Sequence, residues 1–596
     1  MSGFGNVEPT ANGEAEDAAA RKAQEQAEAL TRVREAGWTN PIPFNYETVQ
    51  GGIEAPEEGR EDAKWLSDAV IYAWDDDFGD VGPANPALER QLFHGDHLTR
   101  AGGAIKALSF EVTVEGSTPI FPVREFDDAG LHPQMRDNVR LCQYGHPTPI
   151  QSYCIPAVLT GHDVVACAQT GSGKTAAYLI PILSKLMGKA RMLAAPRPNP
   201  TRYNPSTDRV RAEPLVLVVC PTRELACQIF DEARRLCYRT MLRPCVIYGG
   251  APTKNQREQL EMGCDILIAT PGRLTDFMAN LNLLSFSRLK FTVIDEADEL
   301  LSGGWEEAME KIFRGSDTNE DADHTYLMFS ATFPKVARRL ARDYMDQDYV
   351  RIKVGRVGST HENIKQQIIF VNESEKNQAL FDLIFSDGPQ RTLIFVNSKF
   401  KADAVDDFLY NKGLPTTSIH SDRTQRERED ALRAFRTAKC PIMVATGVSA
   451  RGLDISNIKH VINYDLPSSQ HEGITEYIHR IGRTARIGNE GKATSFYNDR
   501  NEDISEDLVK ILVESKQEVP DFLADKVPEK VEWNDGTDDE AVSGDFGGGD
   551  DFNSGGFGGG FDTDATTGGF QAGEGGFQAD TGFNADADND KKIASW

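Results

Sequence analysis

The chain has 596 residues, 39% of them hydrophobic, and a formal net charge of −28. That length is too great for a single core and sets two or three domains as the expectation. There is no apolar run long enough to span a bilayer, and Met1 to Ala20 has neither a basic start nor an apolar centre, so the reading excludes membrane helices and a signal peptide.

The charge is unevenly spread. Residues 1–125 carry 23 acidic against 10 basic side chains, and residues 535–596 carry 14 against 2. The stretch between is close to neutral, so the acidic wings do not exclude a polyanion-binding groove lined locally with arginine. Nine cysteines occur without a C-x-x-C pair, most of them inside apolar runs. That usage suits buried, reduced thiols in a cytosolic or nuclear protein.

In chain order, residues 1–120 form an acidic extension expected to be mostly disordered. Within it, residues 14–36 are rich in Ala, Glu, Gln and Arg and predict a short helix ended by Gly37, followed by an irregular segment with Trp38 and Tyr46. A solvated helix in a disordered arm and a partner-binding peptide both fit that composition. From 121 to 354, short apolar runs alternate with helical patterns: Val164–Cys167, Leu215–Cys220, Cys245–Tyr248, Ile266–Ala269, Phe291–Ile294 and Tyr326–Phe329. A second cycle occupies 362–530, with runs at 367–371, 392–396, 416–420, 442–445, 460–463 and 493–497. Alternation of this kind predicts two tandem α/β domains, each a parallel sheet with helices on both faces, joined by a linker at 355–361.

Residues 189–213 interrupt the first domain with six bases among prolines and small polar residues, which reads as a solvated insertion or an extra polyanion contact. Residues 531–596 are dominated by Gly, Asp, Asn and Phe and predict a disordered tail without basic repeats.

Chemistry is concentrated at two places in the first domain. Ala168-Gln169-Thr170-Gly171-Ser172-Gly173-Lys174-Thr175 lies between a buried strand pattern and a helical run, the context that makes a phosphate-binding loop credible. Gly171 and Gly173 let backbone N–H groups turn inward around phosphate oxygens, with Thr170 and Ser172 in the same loop, and the helix N-terminus adds partial positive charge. Lys174 supplies a point charge for the outer phosphates, and Thr175 a hydroxyl for Mg²⁺. Downstream, Val293-Ile294-Asp295-Glu296-Ala297-Asp298 puts adjacent carboxylates at the end of an apolar strand. Asp295 is placed to hold the Mg²⁺ and Glu296 to orient and deprotonate the attacking water. Together the two motifs specify nucleotide hydrolysis.

Asp295-Glu296-Ala297-Asp298 resembles the block that names the DEAD-box RNA helicases, and the family's other blocks can be read in order across residues 126–488. The resemblance implies two RecA-like domains, ATP and Mg²⁺ as cofactors, and an RNA cleft between the domains. Pro147-Thr148-Pro149-Ile150-Gln151 with Phe126 resembles the adenine-reading block. There Gln151 would donate and accept at the base edge and Phe126 would stack on its face, selecting ATP. Pro221-Thr222-Arg223, Gly249-Gly250 and Thr270-Pro271-Gly272-Arg273 resemble the blocks that hold RNA backbone, which implies sequence-tolerant binding. Ser330-Ala331-Thr332 resembles the coupling block, whose hydroxyls bond near Glu296 and Asp298.

In the second domain the resemblance places Asn397, Gln425, Arg428, Thr446 and Gly447 on RNA and Asp454 near the ribose. It also makes His479 and Arg480 coupling residues, with Arg480 pairing with first-domain carboxylates, and Arg483 and Arg486 arginine fingers on the γ-phosphate. Gln143 and Ala485 stand where relatives often carry glycine, as does Ser421, and Trp305 stands for a usual phenylalanine expected in the core.

Residues 354–364, 422–428 and 517–520 and the terminal Trp596 resemble the Vasa/Belle branch, although Arg-Gly-Gly repeats are missing. The expected activity is an RNA-stimulated ATPase that unwinds duplexes locally or remodels ribonucleoprotein. A slow-turnover, ATP-gated RNA clamp is the alternative, and a DNA translocase fits the blocks less well. The core is expected to be monomeric and to meet protein partners through its extensions, away from membranes. The expected location is cytoplasmic, including ribonucleoprotein granules, with the nucleus open.

Overall fold

The computed structural model describes residues 27–39, 74, 78–93, 111–198, 203–204, 206–302, 304–314, 324–332, 335–355, 363–450, 455, 457–469, 473–485 and 490–529. Among the described residues, fourteen strands form two sheets. The first contains β1 (Val112–Glu115), β2 (Val164–Cys167), β3 (Val216–Val219), β4 (Pro244–Ile247), β5 (Ile266–Ala269), β6 (Phe291–Ile294), β7 (Thr325–Ser330) and β8 (Val350–Val354), in the order 1-8-2-7-6-3-5-4. The second contains β9 (Ile364–Phe370), β10 (Thr392–Val396), β11 (Thr416–Ile419), β12 (Ile442–Thr446), β13 (His460–Asn463) and β14 (Gly491–Tyr497), in the order 11-12-10-13-14-9. Every pairing is parallel except β1 with β8. The parallel two-domain architecture expected from the alternating runs is the one observed.

The apolar runs are continuous because both faces of each sheet are covered. In β2, Val164 and Ala166 join the core on one face and Val165 and Cys167 the core on the other. Leu217 and Val219 of β3 likewise face away from Val216 and Val218. The second sheet repeats the division: Ile394 and Val396 on one side, Leu393 and Phe395 on the other. With a side-chain period of two, a one-residue slip in any of these strands would exchange its two cores.

Three features lie outside the expectations. Strand β1, with alternating half-buried and exposed residues, adds an antiparallel edge to the first sheet, so the first domain begins before residue 121. Residues 78–93 also pack on that domain through buried Leu88, Leu92 and Phe93. Residues 27–39 pack on the second domain through Val33 and Trp38, whose exposures of 2% and 3% rule out a freely solvated helix there.

The basic insertion is largely tied down. Arg197 bonds Asp265 and the Met241 carbonyl, Arg209 lies 3.4 Å from Glu261, and Arg211 pairs with Glu213. Among the described residues no helix is long and apolar enough to cross a membrane. Eight of the nine cysteines are buried, and all nine are free.

Backbone angles explain two of the departures from the family pattern. Gln143 follows the helix Pro133–Leu141 with φ 59°, and Ala485 has φ 53°, both in the left-handed region where glycine carries no Cβ penalty. Ser421 is not left-handed, so serine there costs nothing of this kind. Substituting Gln143→Gly should relieve a strain of about 1 kcal/mol. The urea midpoint of the first domain is expected to rise with an unchanged slope, and an unmoved midpoint would count against the strain.

Candidate functional site

In both sheets the sequence blocks follow the carboxyl ends of parallel strands, the edge where open α/β sheets bind ligands. The phosphate loop follows β2, Pro221 and Thr222 follow β3, Gly249 and Gly250 follow β4, and Thr270 follows β5. The acidic block follows β6, and Ser330 ends β7. Asn397 and Thr446 stand at the ends of β10 and β12.

The loop turns into the helix Lys174–Leu186 through Gly171 (φ 77°) and Gly173 (φ 89°), which a side chain would strain. Gln151 packs directly against this loop. Its Nε2 donates to the Gly173 carbonyl at 3.1 Å and its Oε1 accepts from the Thr148 N–H at 3.0 Å, closing a capping box at the start of the helix Pro149–Thr160. The Gln151 amide, expected to read adenine, fixes the phosphate loop here, and only 1% of Gln151 is exposed. Phe126 is buried in the first-domain core with its ring 6.1 Å from that of Tyr144.

Lys174 is buried among carboxylates, with Nζ 3.3 Å from Glu296 Oε2. Burial works against its ammonium, but Glu296, Asp295 and Asp298 outweigh that and hold its pKa above the ordinary lysine value. Asp295 moves the other way from a normal carboxylate: burial first, and the Glu296 charge second, push its pKa up. Tyr178 fixes it by donating to Oδ2 at 2.9 Å, and the Glu296 N–H donates to Oδ1 at 3.0 Å. Tyr178 was not singled out from the sequence. Its position one helical turn after Lys174, facing inward, is the signal that could have found it.

Glu296 itself has φ 50°, a left-handed conformation that costs a side-chain-bearing residue about 1–2 kcal/mol. Its backbone bond to Asp295 and its pairing with Lys174 hold it there.

Asp298 is the hub of the coupling block. Its Oδ2 accepts from the Thr332 N–H at 2.9 Å and from the Thr332 hydroxyl at 2.8 Å, and its own N–H donates to Ser330 Oγ at 3.2 Å. Across the cleft, His479 Nε2 lies 4.0 Å from the same carboxylate oxygen. Although burial opposes it, these partners and Lys174 hold the Asp298 pKa below the ordinary carboxylate value. Nearby, the Thr170 hydroxyl donates to the Gly482 carbonyl of the second domain at 3.4 Å, so the phosphate loop also touches the opposite wall.

A second set of cross-cleft contacts joins the blocks that resemble RNA contacts. Arg223 Nη1 donates to Gln425 Oε1 at 3.1 Å, and Arg428 forms a buried ion pair with Glu224 at 2.7 Å. Gly249 and Gly250 form the floor under the Arg223 guanidinium, where a Cβ at Gly250 would collide with it. Thr222 caps the helix Arg223–Leu236 by accepting from the Leu225 N–H. Arg273 donates to the Ala251 carbonyl, which ties the Thr270-Pro271-Gly272 turn to the glycine pair. Glu224 belongs to the same sequence block as Thr222 and Arg223, but its pairing with Arg428 of the other domain was not expected, because the sequence does not record which distant charge packs against it.

Two expectations are not met: that Arg480 pairs with first-domain carboxylates, and that Trp305 lies in the core. Arg480 stays within its own domain, bonding Glu476 Oε1, the Asp465 carbonyl and Asn397 Oδ1 at 2.8–3.0 Å, where the i, i+4 helical spacing to Glu476 already satisfies its charge. Asn397 donates to the Leu466 carbonyl at 2.7 Å, so both ends of its amide are engaged inside the domain. Trp305, expected in the core, is 37% exposed, with its ring edge against Gly272; the small residue leaves room for it. Thr446 donates to Ser449 at 3.1 Å, and Gly447 lies against the Glu476–Arg480 pair. Arg483 is buried and donates from Nε to the His479 carbonyl at 3.0 Å. Asp454 and Arg486 lie outside the described residues.

Comparison with known proteins assigns the same segments. The DEAD/DEAH box helicase family matches residues 148–340, and the helicase conserved C-terminal domain matches residues 375–488, together more than half of the chain. Dbp5 of S. cerevisiae bound to RNA and ADP BeF3 is 26% identical and superposes with a TM-score of 0.55, over 68% of this chain and 100% of that one. A Dbp5 variant bound to a Gle1 variant and IP6 is 27% identical with a TM-score of 0.52, over 66% and 93%. A DEAD box protein from the hyperthermophile Methanococcus jannaschii is 33% identical over 67% of this chain and 98% of that one, with a TM-score of 0.39. With a phosphate loop, an acidic strand end and a facing second domain arranged as described, the chain belongs to the DEAD-box family of ATP-dependent RNA helicases.

Proposed function

We propose that this helicase binds RNA backbone across the seam between its two domains and couples ATP hydrolysis to local, non-processive unwinding or ribonucleoprotein remodelling. The observation that carries this reading is that one interdomain seam joins the hydrolytic and the RNA-facing residues. Asp298 meets His479 at one end and Glu224 meets Arg428 at the other. Closure is therefore felt at both sites together.

In this reading Glu296 deprotonates the attacking water while Lys174 moves from Glu296 to the outer phosphates. Asp295 and Thr175 would hold Mg²⁺. Their fit rests on two adjacent buried carboxylates, Asp295 and Glu296, at the strand end beside the phosphate loop; burial first and the Glu296 charge second raise the Asp295 pKa, and a divalent cation would offset both. When bound, the ion neutralises charge on the phosphate oxygens. Arg483 and Arg486 would reach the γ-phosphate from the second domain, which would make hydrolysis conditional on closure. Hydroxyl, amide and guanidinium contacts from Thr222, Arg223, Thr270 and Gln425 follow RNA backbone, so the groove tolerates sequence.

The Vasa/Belle branch is the assignment we favour within the family. Gln517, in the stretch that resembles that branch, is built into the second domain by accepting from the Gln366 N–H at 2.9 Å. We place the protein in the cytoplasm, a setting that suits nine free cysteines. Protein partners would meet its extensions.

Steady-state ATPase with and without single-stranded RNA tests the coupling. The parent chain should be RNA-stimulated, and Glu296→Gln should keep ATP and RNA binding while losing at least about 100-fold in turnover. Unchanged turnover would remove Glu296 as the base. Negligible parent turnover with ATP-dependent RNA retention would replace the helicase with a clamp.

Lys174→Ala takes the ammonium away from three buried carboxylates, so nucleotide binding should weaken and RNA affinity should lose its dependence on ATP. Fluorescence anisotropy of labelled RNA with and without nucleotide reads this directly. Equal RNA affinities in the parent chain under both conditions would refute the coupling.

A further inference from the structure

An exposed tryptophan stands beside one of the blocks that resemble RNA contacts. Gly304 turns the chain with φ 77°, and Trp305 then precedes the helix Glu306–Arg314, whose Met309 N–H donates to the Trp305 carbonyl at 2.8 Å. That helix shares a core with the helix Pro271–Met278: Met309, Ile312 and Phe313 belong to the same cluster as Leu274, Phe277 and Met278. The packed pair holds the indole against Gly272, with two atoms of its six-membered ring 3.5 Å from the place a Cβ would take there. One edge of the ring is thus fixed, and 37% of the residue is left open to solvent.

A scattered apolar side chain at a surface carries no meaning of its own. Here the residues around Gly272 have hydrogen-bonding capacity that the protein does not use. Thr270 is buried at the start of its helix, yet its hydroxyl makes no capping bond to it. Arg273 is also buried; Nη2 donates to the Ala251 carbonyl, while Nη1 has no hydrogen-bond partner among the described residues. A hydroxyl and a guanidinium N–H left open suit a phosphate or a ribose. Glu306 and Glu307, both exposed, follow Trp305. Their charge discourages a second phosphate at the ring and leaves the uncharged face of a base as the fitting partner.

We propose that Trp305 is a base-stacking residue of the RNA groove. The inference rests on the RNA-backbone reading above and deepens it. With the backbone of one nucleotide held at Thr270 and Arg273, a neighbouring base lies on the exposed indole. The ligand is then single-stranded RNA with an unpaired base at this register. Every base has a π-face, so the contact tolerates sequence. A base still stacked inside a duplex has no free face to offer, so the contact favours a separated strand.

The test is a cycle between protein and RNA, read as the dissociation constant of the full chain by fluorescence anisotropy with a non-hydrolysable ATP analogue. The shortest single-stranded RNA that binds fully is compared with the same oligomer carrying one abasic ribose at each position in turn. In the parent chain one position should cost about five- to tenfold in affinity. Trp305→Leu should weaken the complete RNA by a similar factor and abolish the penalty at that position, whereas Trp305→Phe, which keeps a ring, should retain most of it. Phe121→Leu, at an exposed aromatic residue outside these blocks, should change nothing. In the unsubstituted chain, iodouridine at that position should crosslink under light to Trp305, a measurement that needs no variant to fold. Either equal abasic penalties in the parent and Trp305→Leu chains or a crosslink to other residues alone would overturn the stacking and leave Trp305 as a support of the Gly272 turn. Failure of the parent chain to bind the complete RNA would instead refute the RNA reading itself, and the inference with it.

Discussion

One buried ammonium among three carboxylates sets the conditions for the rest of this molecule. Lys174 faces Glu296 at 3.3 Å, with Asp295 and Asp298 in the same shielded space. In a low-dielectric setting neither sign of charge is stable alone, and removing one partner of such a cluster leaves the other uncompensated. The site is thus poised for exchange. A nucleotide that drew Lys174 onto its phosphates, as proposed, would leave the acidic side in need of a cation and free Glu296 for a proton.

That arrangement depends on the geometry of the first sheet. Parallel strands buried on both faces send all of their following loops to one edge, so the phosphate loop after β2, the acids after β6 and the hydroxyls after β7 converge without being near in sequence. The second sheet does the same with Asn397 and Thr446. Where the two edges meet, the ion pair of Glu224 with Arg428 and the approach of His479 to Asp298 connect sites that would otherwise be independent.

Left-handed backbone at residues other than glycine is not confined to that seam; it occurs at seven described positions, Glu296 among them. Glu296 and Ala485 are both left-handed without being glycine, and Gln143 is left-handed at the helix end that positions Tyr144. At Glu296 the surrounding bonds over-determine the conformation, the circumstance in which such strain persists. At Gln143 and Ala485 the conformation belongs to the turn, and the chain tolerates a Cβ where glycine would fit more easily.

The sequence by itself determined the two-domain parallel architecture, because strands covered on both faces must be continuously apolar and separated by helical runs. It also determined the phosphate loop and the acidic block, whose chemistry is carried by adjacent residues. Even the glycine departures at 143 and 485 were visible, and the φ values supply their meaning. Only the tertiary structure decided which charges meet across domains: Arg480 turns inward to Glu476, and Glu224 finds Arg428. It alone placed Trp305 over Gly272 at the surface, enlisted Tyr178 to fix Asp295, and gave Val33 and Trp38 of an otherwise polar arm a core to enter. A local pattern records what a residue offers to its chain neighbours. Partners hundreds of residues away are chosen by packing, desolvation and the space that a glycine leaves open.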